Sequence, residues 1–255
     1  MKENPLRTKI EAGTKCVGGW VTLADPLVAE LLASAGFDYI VVDMEHWAAD
    51  LPEVVACFQA IVAGGSVPVA RLPANDRVWI KRVLDAGAMG LIIPLVNSLD
   101  DAKAAIDASR FPPVGTRPFG GGRAAALAGV GYLRESNDNI VIMLQLEQVE
   151  VLPHVDDILK LKGFDVCFIG VTDLALSMGE PIPIERRSEK VEATVADLIA
   201  KIHKAGFPTA TTSMNAENCS ARLAQGFTCV SLASDSALMM ANAKASLAKV
   251  REGLG

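Results

Sequence analysis

Two hydrophobic periods alternate along this chain. Short, continuous apolar runs are separated by longer segments whose apolar residues recur at helical spacing. The short runs predict eight strands, over residues 16–23, 38–42, 67–71, 89–95, 140–146, 165–169, 207–211 and 227–232. The longer segments predict helices over 25–35, 52–62, 76–86, 98–109, 151–161, 190–205, 216–225 and 235–251, with a helical turn from 172. The Pro- and Gly-rich stretch 111–131 is predicted to be irregular.

Repeated strand–helix units predict an α/β protein, a (β/α)₈ TIM barrel formed as a single domain by residues 1–255. Ala-Gly junctions before an apolar residue recur at Gly36, Gly87 and Gly206, where glycine suits a left-handed helix end. The alternative is a doubly wound open sheet. That fold usually carries G-x-G-x-x-G after its first strand, whereas this chain has Leu-Ala-Asp-Pro at 23–26, so the barrel is favoured.

Composition and charge narrow the classes of partner. Of the 255 residues, 51% are hydrophobic but only 5% are aromatic, which predicts a core of Ala, Val, Leu and Ile. A net charge of −6 without a Lys/Arg block argues against nucleic-acid binding. No apolar stretch has the length of a membrane span and no secretory leader is recognisable, so we expect a cytoplasmic protein without a membrane partner. The five cysteines form no C-x-x-C pair and are expected to be reduced core residues.

Charged side chains recur where the predicted strands end. These residues are Asp43, Glu45 and His46 after the second strand, Arg71 at the end of the third, Glu147 after the fifth and Asp173 after the sixth. Buried strands exclude charge along their length, and the C-terminal strand ends of a barrel carry its chemistry. The pattern therefore predicts one shared, partly solvated site.

Glu147 and Asp173 are the candidate metal ligands. They follow strands that are neighbours in a barrel, and two converging carboxylates repel each other unless a cation or a shared proton intervenes. Two carboxylates with waters and a chelating substrate make an octahedral Mg²⁺ or Mn²⁺ site. The alternative is that each acid caps a helix, a position that Asp173 also suits.

His46 and Arg71 are the candidate acid–base and anion-binding residues. His46 follows Asp43 by three residues, close enough for the carboxylate to orient the imidazole of a general acid or base. Arg71 suits a substrate carboxylate or an enolate oxygen. The alternative for Arg71 is a salt bridge to Glu45 or Asp43, which is compatible with that role.

Other segments of the sequence argue against a Schiff-base mechanism and against a phosphorylated substrate. No lysine lies at a predicted strand end, so a Schiff-base aldolase would lack its nucleophile. The ends of the last two strands lack the glycines of a barrel phosphate site, which disfavours a phosphorylated substrate. The glycine-rich segment 115–123 (GTRPFGGGR) lacks the P-loop lysine and is interpreted as a mobile loop or a subunit contact.

Five ordered motifs resemble the HpcH/HpaI aldolase family, the metal-dependent 2-keto acid aldolases. The motifs are 38–46 (DYIVVDMEH), 68–73 (PVARLP), 80–90 (IKRVLDAGAMG), 145–147 (QLE) and 168–175 (FIGVTDLA). The resemblance runs from about Gly18 to the last helix. It departs from many relatives at Val171-Thr172, where those carry Pro-Ala or Pro-Asn, and after Arg117, so their aldehyde specificity is not carried over.

The resemblance implies a (β/α)₈ barrel in a homo-oligomer, usually a hexamer, whose last helix (about 235–251) is exchanged with a neighbour. It implies that Glu147 and Asp173 bind a divalent metal (Mg²⁺, Mn²⁺ or Co²⁺) that chelates a pyruvate-like enolate. Arg71 would stabilise the enolate oxygen, and His46, held by Asp43, would exchange the hydroxyl proton. The remaining site residues it implies are Asp85 from across a subunit interface, Trp20 and Gln145 lining the site, and Gly170 and Thr172 at the substrate carboxylate.

The expected activity is cleavage or formation of 4-hydroxy-2-keto acids, with release of pyruvate and an aldehyde. Two alternatives remain. A lyase of the citrate-lyase β-subunit kind would share the barrel and the metal acids but cleave a CoA thioester, and a non-catalytic barrel would only bind a metabolite. The acidic balance counts against the CoA phosphates of the first, and the complete set of charged site residues counts against the second.

Overall fold

The computed structural model describes residues 3–129, 131–182 and 188–253, and it shows a closed barrel of eight parallel strands. The strands pair in chain order, and β1 closes the barrel against β8. The strands are β1 (Cys16–Val21), β2 (Tyr39–Asp43), β3 (Val67–Arg71), β4 (Gly90–Ile93), β5 (Val141–Leu146), β6 (Val166–Ile169), β7 (Thr209–Thr212) and β8 (Cys229–Ser234). The predicted barrel is confirmed and the open doubly wound sheet is excluded.

Helices surround the barrel and carry the chain back to the start of each following strand. They are α1 (Pro5–Glu11), α2 (Pro26–Ser34), α3 (Leu51–Ala63), α4 (Arg77–Ala86), α5 (Leu99–Ser109), α6 (Arg123–Ala128), α7 (Gly131–Asn139), α8 (Val155–Ile158), α9 (Val171–Ser177), α10 (Glu189–Lys204), α11 (Ala216–Gln225) and α12 (Asp235–Glu252). Many begin at a side-chain cap, as at Asp25, Asp50, Asp76 and Ser98. Each cap satisfies a helix amide that would otherwise lack a partner.

Two apolar layers form the core. The larger lies between strands and helices and consists mainly of Val, Ile, Leu and Ala, as the composition predicts. The smaller fills the barrel and includes Val41, Val69, Ile92 and Phe168. Alternate strand residues therefore serve different layers, which explains why most of the strands are apolar along their length.

The N-terminal segment is a helix that closes the bottom of the barrel. Leu6 and Ile10 of α1 are buried and pack with the interior layer. Asn4 caps α1, and its side-chain amide donates to the carbonyls of Met89 and Asn139. The strands are thus sealed at their N-terminal ends, which leaves the C-terminal ends as the open face.

Two predicted segments are wrong. The stretch 111–131 is not irregular throughout, because α6 lies within it and α7 follows before β5. The predicted helix over 151–161 is instead a 3₁₀ helix, Val149–His154, followed by the short α8. Pro153 lies inside the 3₁₀ helix, where its missing N–H breaks the α-helical bond pattern.

The last helix, α12, is anchored only at its beginning. Buried Asp235 accepts hydrogen bonds from the amides of Thr22 and Leu23 at 2.9 and 3.1 Å, which joins the end of β8 to the end of β1. Beyond it the helix is exposed, including its large apolar residues Leu238, Met239, Met240, Leu247 and Val250. Among the described helices, none is both long and apolar enough to cross a membrane.

Candidate active site

An arginine–carboxylate pair lies at the ends of β2 and β3. The two strands are in register, with Asp43 beside Arg71. The Arg71 guanidinium donates two hydrogen bonds to the Asp43 carboxylate, at 2.9 and 2.7 Å. It also lies 4.6 Å from the ring centroid of Trp20 on β1. A bidentate ion pair and a cation–π contact fix the guanidinium plane at the open end of the barrel.

The expected contact between Asp43 and His46 is wrong. Asp43 is buried, its two oxygens both bind Arg71, and one also accepts from the Glu45 amide at 3.1 Å. The bidentate pair satisfies a carboxylate better than an exposed imidazole could. His46 is largely exposed, and the carboxylate beside it is Glu45, whose Oε2 lies 3.8 Å from His46 Nε2.

Glu45 lies between the histidine and the arginine. Its Oε2 is 3.3 Å from Arg71 Nε but has no hydrogen-bond partner and is buried. Burial raises the pKa of Glu45 to about 7; Arg71 opposes this shift, whereas the charges of Glu147, Asp43 and Asp173 add to it. Several acids therefore lie close enough in the site for the negative charge of each to disfavour ionisation of the others.

Glu147 follows β5 and is held by two donors. The Leu95 amide donates to its Oε1 at 2.8 Å, and the Gln145 side-chain amide donates to its Oε2. A Cβ on Gly170 would fall 2.7 Å from the Glu147 Cβ, so only glycine leaves room here. Burial raises the pKa of Glu147 despite these hydrogen bonds, and the Asp173 charge raises it further.

Asp173 lies in the first turn of α9, which begins directly after β6. Gly170 is the N-terminal cap residue, and Thr172 and Asp173 follow within that turn. The helix starts at the open face, so these residues lie beside Glu147. The structure thus brings together Asp43, Arg71, Glu147, Asp173, Trp20, Gln145, Gly170 and Thr172 at one end of the barrel.

The donor set fits a divalent cation. Gln145 Oε1 and Glu45 Oε2 are buried acceptors without hydrogen-bond partners, and they lie among carboxylates that raise the pKa of Glu147 and Glu45. Oxygen donors of this kind suit Mg²⁺ or Mn²⁺. Within the described ranges, no three His, Cys, Asp or Glu residues form a ready metal site. A cation would therefore take two acids from the protein and further oxygens from water and substrate.

The family model for HpcH/HpaI aldolase/citrate lyase matches residues 17–242. The chain belongs to this family. Among its relatives, the hydroxypyruvate/pyruvate aldolase of Rhizorhabdus wittichii is 34% identical over 97% of this chain and 99% of its own. The 4-hydroxy-2-oxo-heptane-1,7-dioate aldolase of Klebsiella pneumoniae is 34% identical over 96% and 93%. A crystal structure of an HpcH/HpaI family protein from Burkholderia cenocepacia covers 97% of this chain and 99% of its own, with TM-score 0.92 and 31% identity.

One predicted residue of this HpcH/HpaI chain lies outside the cluster. Asp85 is in the last turn of α4, at the N-terminal end of the barrel, where its Oδ1 accepts from Arg117 at 2.7 Å. Arg117 is fully buried between Phe111 and Tyr132 and belongs to the glycine-rich segment 115–123. A Cβ on Gly122 would fall 2.8 Å from Asp85 Cβ. The segment is therefore packed on α4, and its glycines permit close approach.

Sequence reasoning missed two contributors. The sequence predicts Glu45 as a charge at a strand end and as an alternative salt-bridge partner of Arg71, which lies 3.3 Å from it, but not as the carboxylate beside His46. Leu95 contributes a backbone amide, which has no signature in the sequence. Its φ of 55° is unusual for leucine and directs the amide toward Glu147.

Proposed function

We propose that the protein is a divalent-metal-dependent aldolase that cleaves or forms 4-hydroxy-2-keto acids through a pyruvate enolate. The observation that carries the proposal is the placement of Glu147 and Asp173 at neighbouring strand ends, facing an arginine already fixed by Asp43. The similarity to two named aldolases over nearly their whole length supports the same reaction class.

In this proposal the chain's own residues bind the keto acid and stabilise its enolate. Glu147 and Asp173 would hold Mg²⁺, Mn²⁺ or Co²⁺, and the cation would supply Lewis acidity that stabilises the enolate. Arg71 donates to the same developing negative charge, and its pairing with Asp43 spares it from reorganising during the reaction. Backbone amides at Thr172 and Asp173 would bind the carboxylate, and Gly170 leaves room for the Glu147 side chain beside them. Trp20 and Gln145 line the site.

His46 is the proposed acid–base residue for the C4 hydroxyl proton. Its exposure at the open end gives a substrate hydroxyl access to the ring. During cleavage, the hydroxyl proton passes to the imidazole, the C3–C4 bond breaks, and its electron pair remains on the enolate as the aldehyde departs. Glu45 is the nearest carboxylate that could stabilise the resulting imidazolium.

We further propose that the active form is a homo-oligomer, most simply a hexamer. The exposed apolar residues of α12 would be covered by exchange of this helix with a neighbour. Asp85 cannot reach the open end of its own barrel, so a catalytic role would have to be exerted in a neighbouring subunit.

Pyruvate release from 4-hydroxy-2-oxopentanoate tests the function. We expect activity that EDTA abolishes and Mg²⁺ or Mn²⁺ restores, because the enolate charge lacks sufficient stabilisation without the cation. Glu147→Gln should lose activity, whereas Glu150→Gln, a nearby exposed change, should keep it. Cleavage of a CoA thioester instead would indicate a citrate-lyase-like enzyme, and inactivity toward both substrates would indicate a binding protein.

A further inference from the structure

The open end of the barrel offers few cations to a substrate. Among the described residues, the loops that follow the eight strands contain no lysine or arginine. Arg71, the last residue of β3, is the cation at this end. Arg71 itself pairs with Asp43 through Nε and Nη2, and its remaining donors are assigned to the enolate in the proposed mechanism. The nearest cations at helix starts are also engaged, since Arg77 lies 4.0 Å from Asp107 and Lys190 lies 3.3 Å from Glu180.

Apolar side chains are exposed at the same end. Leu23 follows β1, Trp47 follows β2, Leu95 follows β4 and Met214 follows β7, and each is between 42% and 47% exposed. Two of them adjoin the reacting groups directly. The Leu95 amide binds Glu147, and Trp47 is the next residue after His46. Exposed apolar side chains therefore lie on the same end of the barrel as the proposed site, two of them next to its residues in sequence or through a hydrogen bond.

The shortage of cations and the exposed apolar side chains both affect how the aldehyde half of the substrate can be recognised. A carboxylate or sulfonate on the aldehyde would find no free lysine or arginine among the described residues, and the cation proposed at Glu147 and Asp173 would already serve the keto acid. Burying an unpaired charge is costly. An apolar substituent would instead remove both its own surface and that of Trp47 or Met214 from water.

We propose that the aldehyde partner is uncharged and carries an apolar substituent. This inference rests on the proposed aldolase function and names its second substrate. In the synthetic direction, C3 of the enolate bonds to the aldehyde carbon, and the aldehyde oxygen takes the proton from His46. The enolate supplies the electron pair of the new bond and the aldehyde accepts it, so the reaction needs no oxidant, reductant or other reactant.

A matched pair of aldehydes tests the inference. Butanal and 4-oxobutanoate have the same carbon skeleton and differ only in a terminal carboxylate. With pyruvate as donor, we expect kcat/KM for butanal to exceed that for 4-oxobutanoate by about tenfold or more, the scale of discrimination that an apolar contact provides. A preference for 4-oxobutanoate overturns the inference and assigns its cation to another source, such as Arg186 or Arg187, which lie outside the described residues, or a neighbouring subunit.

A charge variant provides a second readout. Met214→Lys should shift the ratio toward 4-oxobutanoate, whereas Leu127→Lys, on α6 at the other end of the barrel, should leave it unchanged. Equal ratios in wild type and Met214→Lys would contradict the inference. Exchange of the pyruvate C3 protons in D₂O, measured without aldehyde, separates the two proposals. If exchange is present and butanal is not preferred, only the aldehyde specificity is wrong; if exchange is absent, the aldolase function itself fails.

Discussion

Individual side chains at this site are constrained mainly by burial of charge. Asp43 is buried yet fully satisfied, because Arg71 occupies both its oxygens. Glu45 and Glu147 are different, since burial raises the pKa of each above its ordinary range. The fold holds these carboxylates in an environment that favours a proton or a cation. Keeping these carboxylates ionised therefore costs stability, and the proposed metal would offset that cost.

Glu45→Gln tests this electrostatic cost. Since the folded-state pKa of Glu45 is raised to about 7 from 4.5, the fold favours the neutral form, and stability falls as pH rises between these values. With EDTA present, we expect the variant to melt about 3–6 °C above wild type at pH 8 and to match it at pH 4. Thermal unfolding at both values measures this. Glu252→Gln, at the exposed end of α12, is the control and should melt with the wild type at both pH values. A wild type that melts above Glu45→Gln at pH 8 would refute the raised pKa of Glu45.

His46→Ala tests the separation of proton transfer from enolate formation. Cleavage of a 4-hydroxy-2-keto acid should fall by roughly 10²-fold or more, the usual scale for a general acid–base residue. Exchange of the pyruvate C3 protons should fall less, because the proposed mechanism assigns enolate stabilisation to Arg71 and to the metal held by Glu147 and Asp173. The rates of cleavage and of proton exchange are measured on the same preparation of each protein and compared. Unchanged cleavage would remove His46 from the mechanism.

At the scale of elements, the strand ends decide which residues meet. The parallel register of β2 with β3 brings Asp43 beside Arg71, and the adjacency of β5 and β6 brings Glu147 near Asp173. Both follow from the strand–helix repeat, which was visible in the sequence. The helices α6 and α7 were not, because the glycines and prolines of 111–122 conceal the helical residues that follow them.

The glycine-rich segment 115–123 packs against the end of α4 and positions Asp85 there. Arg117 is buried against Phe111 and Tyr132, and it connects this segment to Asp85. A buried guanidinium needs a carboxylate partner, and Asp85 supplies it. The segment therefore holds Asp85 in place at the end of α4.

At the scale of the whole molecule, the barrel leaves α12 largely exposed and leaves Asp85, one of the predicted site residues, remote from the site. α12 exposes its apolar residues, and Asp85 lies at the opposite end from Glu147. A neighbouring subunit would account for both features. The monomer therefore contains most of the proposed catalytic groups but leaves surfaces that an assembly would use.

Subunit mixing tests the role of Asp85. Asp85→Asn and Glu147→Gln should each be nearly inactive alone, but oligomers refolded from an equal mixture should regain about one quarter of wild-type activity, because random assembly pairs an intact site with an intact Asp85 at that frequency. Size-exclusion chromatography confirms assembly, and pyruvate release gives the activity.

The matched control mixes His46→Ala with Glu147→Gln. Both changes lie in the same subunit's site, so no mixed oligomer contains a complete one and activity should stay absent. Full activity of Asp85→Asn alone, or no recovery in its mixture, would show that Asp85 does not act between subunits.

The barrel and most residues of the candidate site are predictable from the sequence alone. Strands buried on both faces must be apolar, so their lengths, their order and the charged residues at their ends are all visible along the chain. The sequence could not determine side-chain pairing. Whether Asp43 binds His46 or Arg71 depends on the register between β2 and β3, and the Leu95 amide reaches Glu147 only through a local backbone turn. Those contacts join residues distant in sequence, and only the closed tertiary structure selects among them.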